Sequence, residues 1–181
     1  MRFGDGRTAV TKDPDPRPRR HYGAVMDTVR IRRATPADLA AVQRIYRASA
    51  LSNEGDRALM LSHPEVLVFA PDAVLEGRTR IAVDPEGTIL GFASTAARAA
   101  TVDAHTVELE DLFVDPQYMR RGVARRLVED IVDLARAADA GGIEVTANPH
   151  AMAFYESVGF RPAGVAQTRF GPAPRMRLDI R

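Results

Sequence analysis

Residues 115–132 read DPQYMRRGVARRLVEDIV. A turn runs into an amphipathic helix here. Asp115-Pro116 stops a strand, and Val123, Leu127, Ile131, Leu134 and Ala138 then fall on one helical face. Four arginines, Arg120, Arg121, Arg125 and Arg126, crowd the start of that helix. A helix N-terminus already carries partial positive charge, so cations there are disfavoured. Gly122 stands where a side chain would block close approach to the backbone, and Val123 and Ala124 follow with N–H groups that no intrahelical carbonyl can accept. A turn of this kind binds a phosphate or pyrophosphate through main-chain donors and the helix dipole. The arginines are then partners of a multiply charged anion. The alternative is a glycine turn with solvated arginines, and spacing alone does not choose between them.

The segments on either side predict a mixed α/β chain. TVRIRRAT (residues 28–35) alternates like a half-buried strand, and Thr35, Pro36 and Asp38 open a helix with Leu39, Val42, Ile45 and Tyr46 on one face. A second helical stretch covers about 53–62 and ends near His63-Pro64. Ile81 to Ala97 reads as strand, turn and strand around Asp84-Pro85-Glu86-Gly87, and 105–114 as the next strand. After the helix of the opening stretch come a short strand (GGIEVTA, 141–147), a helix (PHAMAFYESV) closed by Gly159, and two strands. The last two, 160–170 and 175–180, are predicted to be joined by Gly171-Pro172-Ala173-Pro174 as a hairpin connection. The order is β-α-α-β-β-β-α-β-α-β-β, a mixed sheet with helices on its faces. Residues 1–27, including KDPDPRPRRHYG, predict a disordered or weakly docked tail, and 28–181 a single domain; Met26 is an alternative start.

Composition narrows the function classes. Hydrophobic residues make up 45% and charged residues 27%, and the net charge is +1. That charge supplies no global field for nucleic acid or anionic membrane, so an anion site must come from local placement. Cysteine is absent, which excludes disulfides, a thiol nucleophile and a cysteine-based metal site, and agrees with a cytoplasmic protein. His21, His63, His105 and His150 lack metal-ligand spacing, so no metal is expected. No apolar run approaches the roughly 20 residues that span a bilayer. There is no G-x-G-x-x-G after the first strand and no Gly-Lys-Ser/Thr, which sets aside dinucleotide and P-loop folds.

Residues 119–124, MRRGVA, resemble the acyl-CoA pyrophosphate loop of the GNAT (Gcn5-related) N-acetyltransferase superfamily, Gln/Arg-x-x-Gly-x-Gly/Ala. Met119 departs from the Gln or Arg of that pattern. NPHAMAFYESVGFRP (Asn148 to Pro162) is similar to the superfamily's C-terminal motif, and VELEDLFVDP matches the strand before the loop. The resemblance covers roughly 28–181 and implies a central, mostly antiparallel sheet of about seven strands flanked by about four helices. It implies acetyl-CoA as acyl donor and a small-molecule or protein amine as acceptor. It assigns cofactor contacts to Phe113, Val114, Met119, Arg120, Arg121, Gly122, Val123, Ala124, Arg125, Asn148 and Tyr155. Dimerisation through the C-terminal strands occurs among relatives and is possible here.

Acyl transfer from a thioester to an amine requires removal of an amine proton, donors for the carbonyl oxygen, and a proton for the thiolate. Without cysteine there is no S-acyl enzyme, and direct attack of the amine in a ternary complex is the simpler reading. The resemblance makes Tyr155 the acid beside the sulfur; the alternative is a core aromatic. Glu108 and Glu110 share a strand face, being two residues apart, and are candidates for the base, directly or through water, or else arginine partners. Glu108 matches the position of the base in histone-acetylating members. Asp111 is expected on the opposite face in a structural role. The backbone of Phe113 and Val114 is expected to supply oxyanion donors where the strand splays from its neighbour. Asn148 suits both a pantetheine contact and the cap of the helix at Pro149. Arg126 and Arg125 reach either the adenosine 3′-phosphate or water. The resemblance implies an acceptor wall from about 47–70 and the 170–174 turn, with His63 either part of it or in a solvated loop. An inactive acyl-CoA-binding module is the alternative function.

Overall fold

The computed structural model describes residues 28–97 and 105–180. The proposed tail, 1–27, lies outside the described residues. Seven strands form one sheet in the order β1-β2-β3-β4-β5-β7-β6. They are β1 (Arg30–Arg33), β2 (Thr79–Val83), β3 (Ile89–Thr95), β4 (Thr106–Val114), β5 (Gly142–Thr146), β6 (Arg161–Thr168) and β7 (Gly171–Asp179). Among the described residues only the β4–β5 pair is parallel. The α-helices are α1 (Leu39–Ala50), α2 (Glu54–Ser62), α3 (Asp72–Leu75), α4 (Val123–Ala137) and α5 (Met152–Ser157). One-turn α3 is the helix beyond the expected four; four residues are too few for a periodicity to register.

Alternation along the strands builds a core on each face of the sheet. Ala82, Leu90, Ala93 and Leu109 pack under α4 and α5, while Ile81, Phe92 and Val83 pack under α1 and α3. Helix α4 is buried along Val123, Leu127, Val128, Ile131 and Ala135. Leu134 and Ala138, expected on this face, are exposed. At 100° per residue, a strip stepping by four drifts 40° at each step, so by Ala135 it has left Leu134 behind. Ala138 is the C-cap, beyond the last helical turn.

The hairpin between β6 and β7 turns at Arg169-Phe170, not at Gly171–Pro174. Thr168 pairs with Gly171, so both prolines lie inside β7. Proline is tolerated in a strand where its missing N–H faces no partner. The Pro174 carbonyl accepts from the Ala147 N–H on the β5 side (2.8 Å), so its ring nitrogen faces that side as well, past the end of the β5–β7 ladder at Thr146↔Arg175.

Two irregularities in β4 give the sheet its open seam. Its ladder with β5 ends at Leu109↔Val145, yet β4 continues to Val114, leaving a wedge between the two strands. Its register with β3 passes from Ser94↔Asp111 to Thr95↔Leu109, so Glu110 is an extra residue without a partner, a β-bulge. The bulge resets the alternation. Asp111 falls on the face of Phe113, which stacks on Phe92 at 5.6 Å. The expected opposite orientation of Asp111 is therefore corrected: it shares the face of α1.

Candidate active site

Asp115 builds the turn after β4. Its carboxylate, nearly fully buried, accepts from the Gln117 N–H (3.1 Å) and from Arg44 of α1 (2.6 Å). Arg120 and Gly122 then adopt left-handed conformations, with φ of 59° and 85°. Glycine reaches this region without strain, whereas a side chain there is costly. The turn delivers the N-terminus of α4 to a cleft of about 590 Å³ lined by Val114, Met119, Arg120, Gly122, Val123 and Ala124, with Arg125 at its edge.

The four arginines have separate positions. Arg120 and Arg125 line the cleft, and Arg125 also donates to the Ser157 carbonyl (3.1 Å). The Arg121 guanidinium lies over the Tyr118 ring at 5.3 Å, outside the lining. Arg126 turns away and donates to the Val29 carbonyl (2.7 Å), which ties α4 to the chain entering β1. This replaces the expected phosphate or water contact of Arg126.

The expected backbone donors are shifted by one residue. The Asp115 N–H reaches the Leu90 carbonyl of β3 at 2.9 Å. N–H groups alternate in direction along a strand, so Phe113 also faces β3, while Leu112 and Val114 face the wedge. Two adjacent residues cannot both aim their N–H groups at one gap. Leu112 and Val114 line the cleft and Phe113 does not. The Leu112 N–H, which sequence reasoning did not name, faces the wedge in place of that of Phe113.

A second cavity, about 300 Å³, opens on the other side of the wedge, walled by Tyr46, Met60, Val66, Phe113 and Phe170. Leu112, Asn148, Ala151 and Tyr155 line both spaces. Tyr155 thus stands at the junction, its ring held edge-on by Phe154 and Phe160, each at 5.3 Å. Burial, and then the charge of Asp111, push its phenol well above the usual tyrosine range. Asn148 serves as the expected cap, its Oδ1 accepting from the His150 N–H (2.9 Å), while its Nδ2 donates across to Asp56 of α2 (3.1 Å). Of the expected acceptor wall, Asp56, Met60, Val66 and Phe170 line the cavity; His63 instead sits edge-on to Phe170 at 5.7 Å.

The two glutamates part company. Glu108 lines neither space: its oxygens take both arms of Arg175, at 2.5 and 2.8 Å. Arg175 also binds Glu144, which Arg177 shares (3.0 Å). Burial works to raise Glu144, but the two guanidinium groups hold it below the usual carboxylate range. Glu108 and Glu144 are neighbours across the β4–β5 ladder, so the arginines offset a repulsion that would otherwise weaken the sheet. That arrangement corrects the expectation of Glu108 as base. Glu110, displaced by the bulge, lines the second cavity, with Arg78 at 3.4 Å.

Asp111 is the group whose importance the sequence hid. Burial raises its pKa to about 6, Glu110 adds to the effect, and Ser94 and Arg78 oppose it. Its charge is felt by both Tyr46 and Tyr155. In the unfolded chain it titrates near 3.8, so between pH 4 and 6 the folded state holds the extra proton and stability falls as pH rises, levelling above about 6. Unfolding titrations should show this fall, about 2–3 kcal/mol, in the parent protein and not in Asp111→Asn. An identical pH dependence in the two proteins would place Asp111 in a solvated setting.

Known proteins share both this fold and parts of this sequence. The family model described as "Acetyltransferase (GNAT) family" matches residues 41–160. The N-alpha-acetyltransferase RimI of Mycobacterium tuberculosis is 39% identical over 83 residues, covering 44% of this chain and 49% of that protein. The chain thus spans about half the length of that relative. The streptothricin acetyltransferase of Streptomyces lavendulae is 28% identical over 76% of this chain and 84% of its own length. Among solved structures, yncA of Salmonella typhimurium with its cofactor acetyl-CoA superposes with a TM-score of 0.62 at 23% identity, covering 84% of this chain and 94% of the other.

Proposed function

Since the chain belongs to the Acetyltransferase (GNAT) family, we propose that its residues 28–181 act as one domain that transfers an acetyl group from acetyl-CoA to a primary amine. The continuity of the two spaces at Tyr155 and Leu112 carries this reading, because it lets a donor and an acceptor meet at one point. The donor side fits acetyl-CoA. The α4 N-terminus, the left-handed turn at Arg120 and Gly122 and the Arg125 guanidinium are chemistry for a pyrophosphate. The apolar wedge beside β4 suits a pantetheine arm.

The bound thioester supplies an activated acyl carbon. The protein's residues do the rest. The N–H groups of Leu112 and Val114 hydrogen-bond the acyl arm in the wedge, where a carbonyl oxygen gaining charge is stabilised. Glu110 accepts a proton from the entering ammonium, directly or through water, leaving the nitrogen lone pair free to form the C–N bond as the C–S bond breaks. Tyr155 donates a hydrogen bond to the departing sulfur, and the second amine proton balances the thiol product. No residue of this chain carries the acetyl group. Among the described residues no group of three or more acidic or histidine side chains gathers to hold a metal.

Acetyl-CoA at a hundred times its Kd should stabilise the protein by about 2.7 kcal/mol, a rise of about 5–10 °C in Tm. Thiol release should then depend on added amine. Stabilisation without turnover on any amine would favour an inactive acyl-CoA-binding module, and no stabilisation would remove both readings.

A further inference from the structure

The second cavity has a charge pattern that names its ligand. Its charged lining consists of Glu110 and Asp56, with no arginine, lysine or histidine among the described residues. It continues into a neighbouring space of about 400 Å³ through Asp56, Met60, Thr146, Asn148 and Phe170, where the only basic side chain among the described residues is His150. The nearby arginines are already partnered, one of them in part with the cavity's own Glu110. Arg175 is bound by Glu108 and Glu144, Arg169 lies over the Phe170 ring and near Glu65, and Arg78 sits between Glu76 and Glu110. Asp111 adds a further carboxyl beneath the β4 wall. Asp56 accepts from a neutral amide, Asn148 Nδ2, at 3.1 Å, and its other oxygen lies 4.0 Å from His150 Nε2, too long for a hydrogen bond. Between the carboxylates the walls are aromatic or aliphatic: Tyr46, Met60, Phe113 and Phe170.

We propose that this cavity selects a primary amine that enters as a cation, has an aromatic or aliphatic body, and bears no anionic group close to its nitrogen. The inference rests on the acyl-transfer reading and narrows its acceptor. An ammonium is drawn between Glu110 and Asp56, and its body takes the place of water against the apolar walls. A carboxylate or phosphate beside the nitrogen meets two like charges, and the basic side chains nearest to them, Arg78 at 3.4 Å from Glu110 and His150 at 4.0 Å from Asp56, are already turned to those carboxylates. Free amino acids and phosphorylated amines are therefore poor acceptors. Arylalkylamines and peptide N-termini, whose first carboxyl is an amide, share the accepted chemistry.

Tyramine, tyrosine and tyrosine amide separate these cases, because they share a body and differ beside the nitrogen. Equilibrium binding to the protein–CoA complex and kcat/KM with acetyl-CoA are measured for each. Tyramine is expected to exceed tyrosine by about tenfold or more in both, the effect of about 1.4 kcal/mol of like-charge repulsion. Tyrosine amide is expected to side with tyramine; equality of the two admits peptide N-termini, while a tenfold advantage for tyramine restricts the class to free amines. Asp56→Asn should cut the tyramine-to-tyrosine ratio to about threefold or less. Tyrosine binding as well as tyramine, or a ratio unmoved in Asp56→Asn, overturns the proposal. If tyramine is preferred in binding but no amine is acetylated, the cavity's selectivity stands and the acyl-transfer reading falls.

Discussion

Tyr155→Phe is expected to lower kcat by about a hundredfold while changing the Kd for acetyl-CoA by no more than about twofold. The substitution removes one oxygen and keeps the ring. That ring is wedged between Phe154 and Phe160 and is 6% exposed, so the packing of α5 against the sheet survives. The lost function is specific. Burial and the Asp111 charge keep the phenol protonated throughout the neutral range, so its O–H stays available as a donor there. A free thiol titrates near 8.5, below this phenol, so outright proton loss to the thiolate is uphill. In the proposed mechanism Tyr155 acts by a hydrogen bond that strengthens as the sulfur gains charge, which is stabilisation of the transition state rather than of bound substrate. A fall in kcat with an unmoved Kd reads out that difference. Full turnover in Tyr155→Phe would leave the tyrosine a core aromatic, and a parallel loss of acetyl-CoA binding would show that the cleft itself had collapsed.

How much of the fold and site was legible in the sequence depends on the range of the interactions concerned. Features set by neighbouring residues could be read directly. The glycine turn, the capping residues Thr35 and Asn148, the alternation of Val29 and Ile31 with arginines and the Asp84–Gly87 turn between two strands each announce themselves within a few positions. The family motif at residues 148–162 then gave the architecture, including the wedge between β4 and β5. What failed depended on pairing between distant segments. The bulge at Glu110 exists only because Thr95 meets Leu109 while Ser94 meets Asp111, and no local pattern in VELEDLFV distinguishes it from regular alternation. It reversed the facing of Asp111, which lies beside its partner Ser94 and turns into a titrating group near pH 6. The choice for Glu108 between base and arginine partner could not be made locally for a similar reason: the residue that pairs with it, Arg175, lies 67 positions away. Arg126 finds its acceptor 97 positions upstream. The hairpin error came from treating proline as a turn signal when an unpartnered strand edge accommodates it equally well.

The turn before α4 offers the second large effect. Gly122→Val should weaken acetyl-CoA binding by about a hundredfold, close to 2.7 kcal/mol. Two costs combine. At a φ of 85° a residue with a Cβ is strained by roughly 1–2 kcal/mol, and branching at Cβ adds crowding. Relief of that strain rotates the peptide planes whose N–H groups face the cleft. A hydrogen bond from such a group to a charged oxygen contributes about 1.5–3 kcal/mol, so misdirecting even one accounts for the rest. Arg120, at a φ of 59°, already tolerates the left-handed region with a long side chain, which shows that the turn holds one such residue; Gly122 is the position that also borders the cleft and starts the helix. Arg125→Gln separates backbone from charge. It removes a cation at the cleft edge and leaves the turn intact, so its expected loss is about threefold to tenfold and shrinks as salt rises, because an exposed charge is screened. The location of the effect is tested with acetyl-pantetheine, which lacks the pyrophosphate. Gly122→Val should bind that fragment as the parent does, since the wedge beside Leu112 and Val114 is untouched. Equal losses for acetyl-CoA and the fragment would mean that the turn positions the whole cleft rather than cradling the phosphates, and an unchanged acetyl-CoA affinity would leave Arg120 and Arg125, the two arginines that line the cleft, without the anion that explains them.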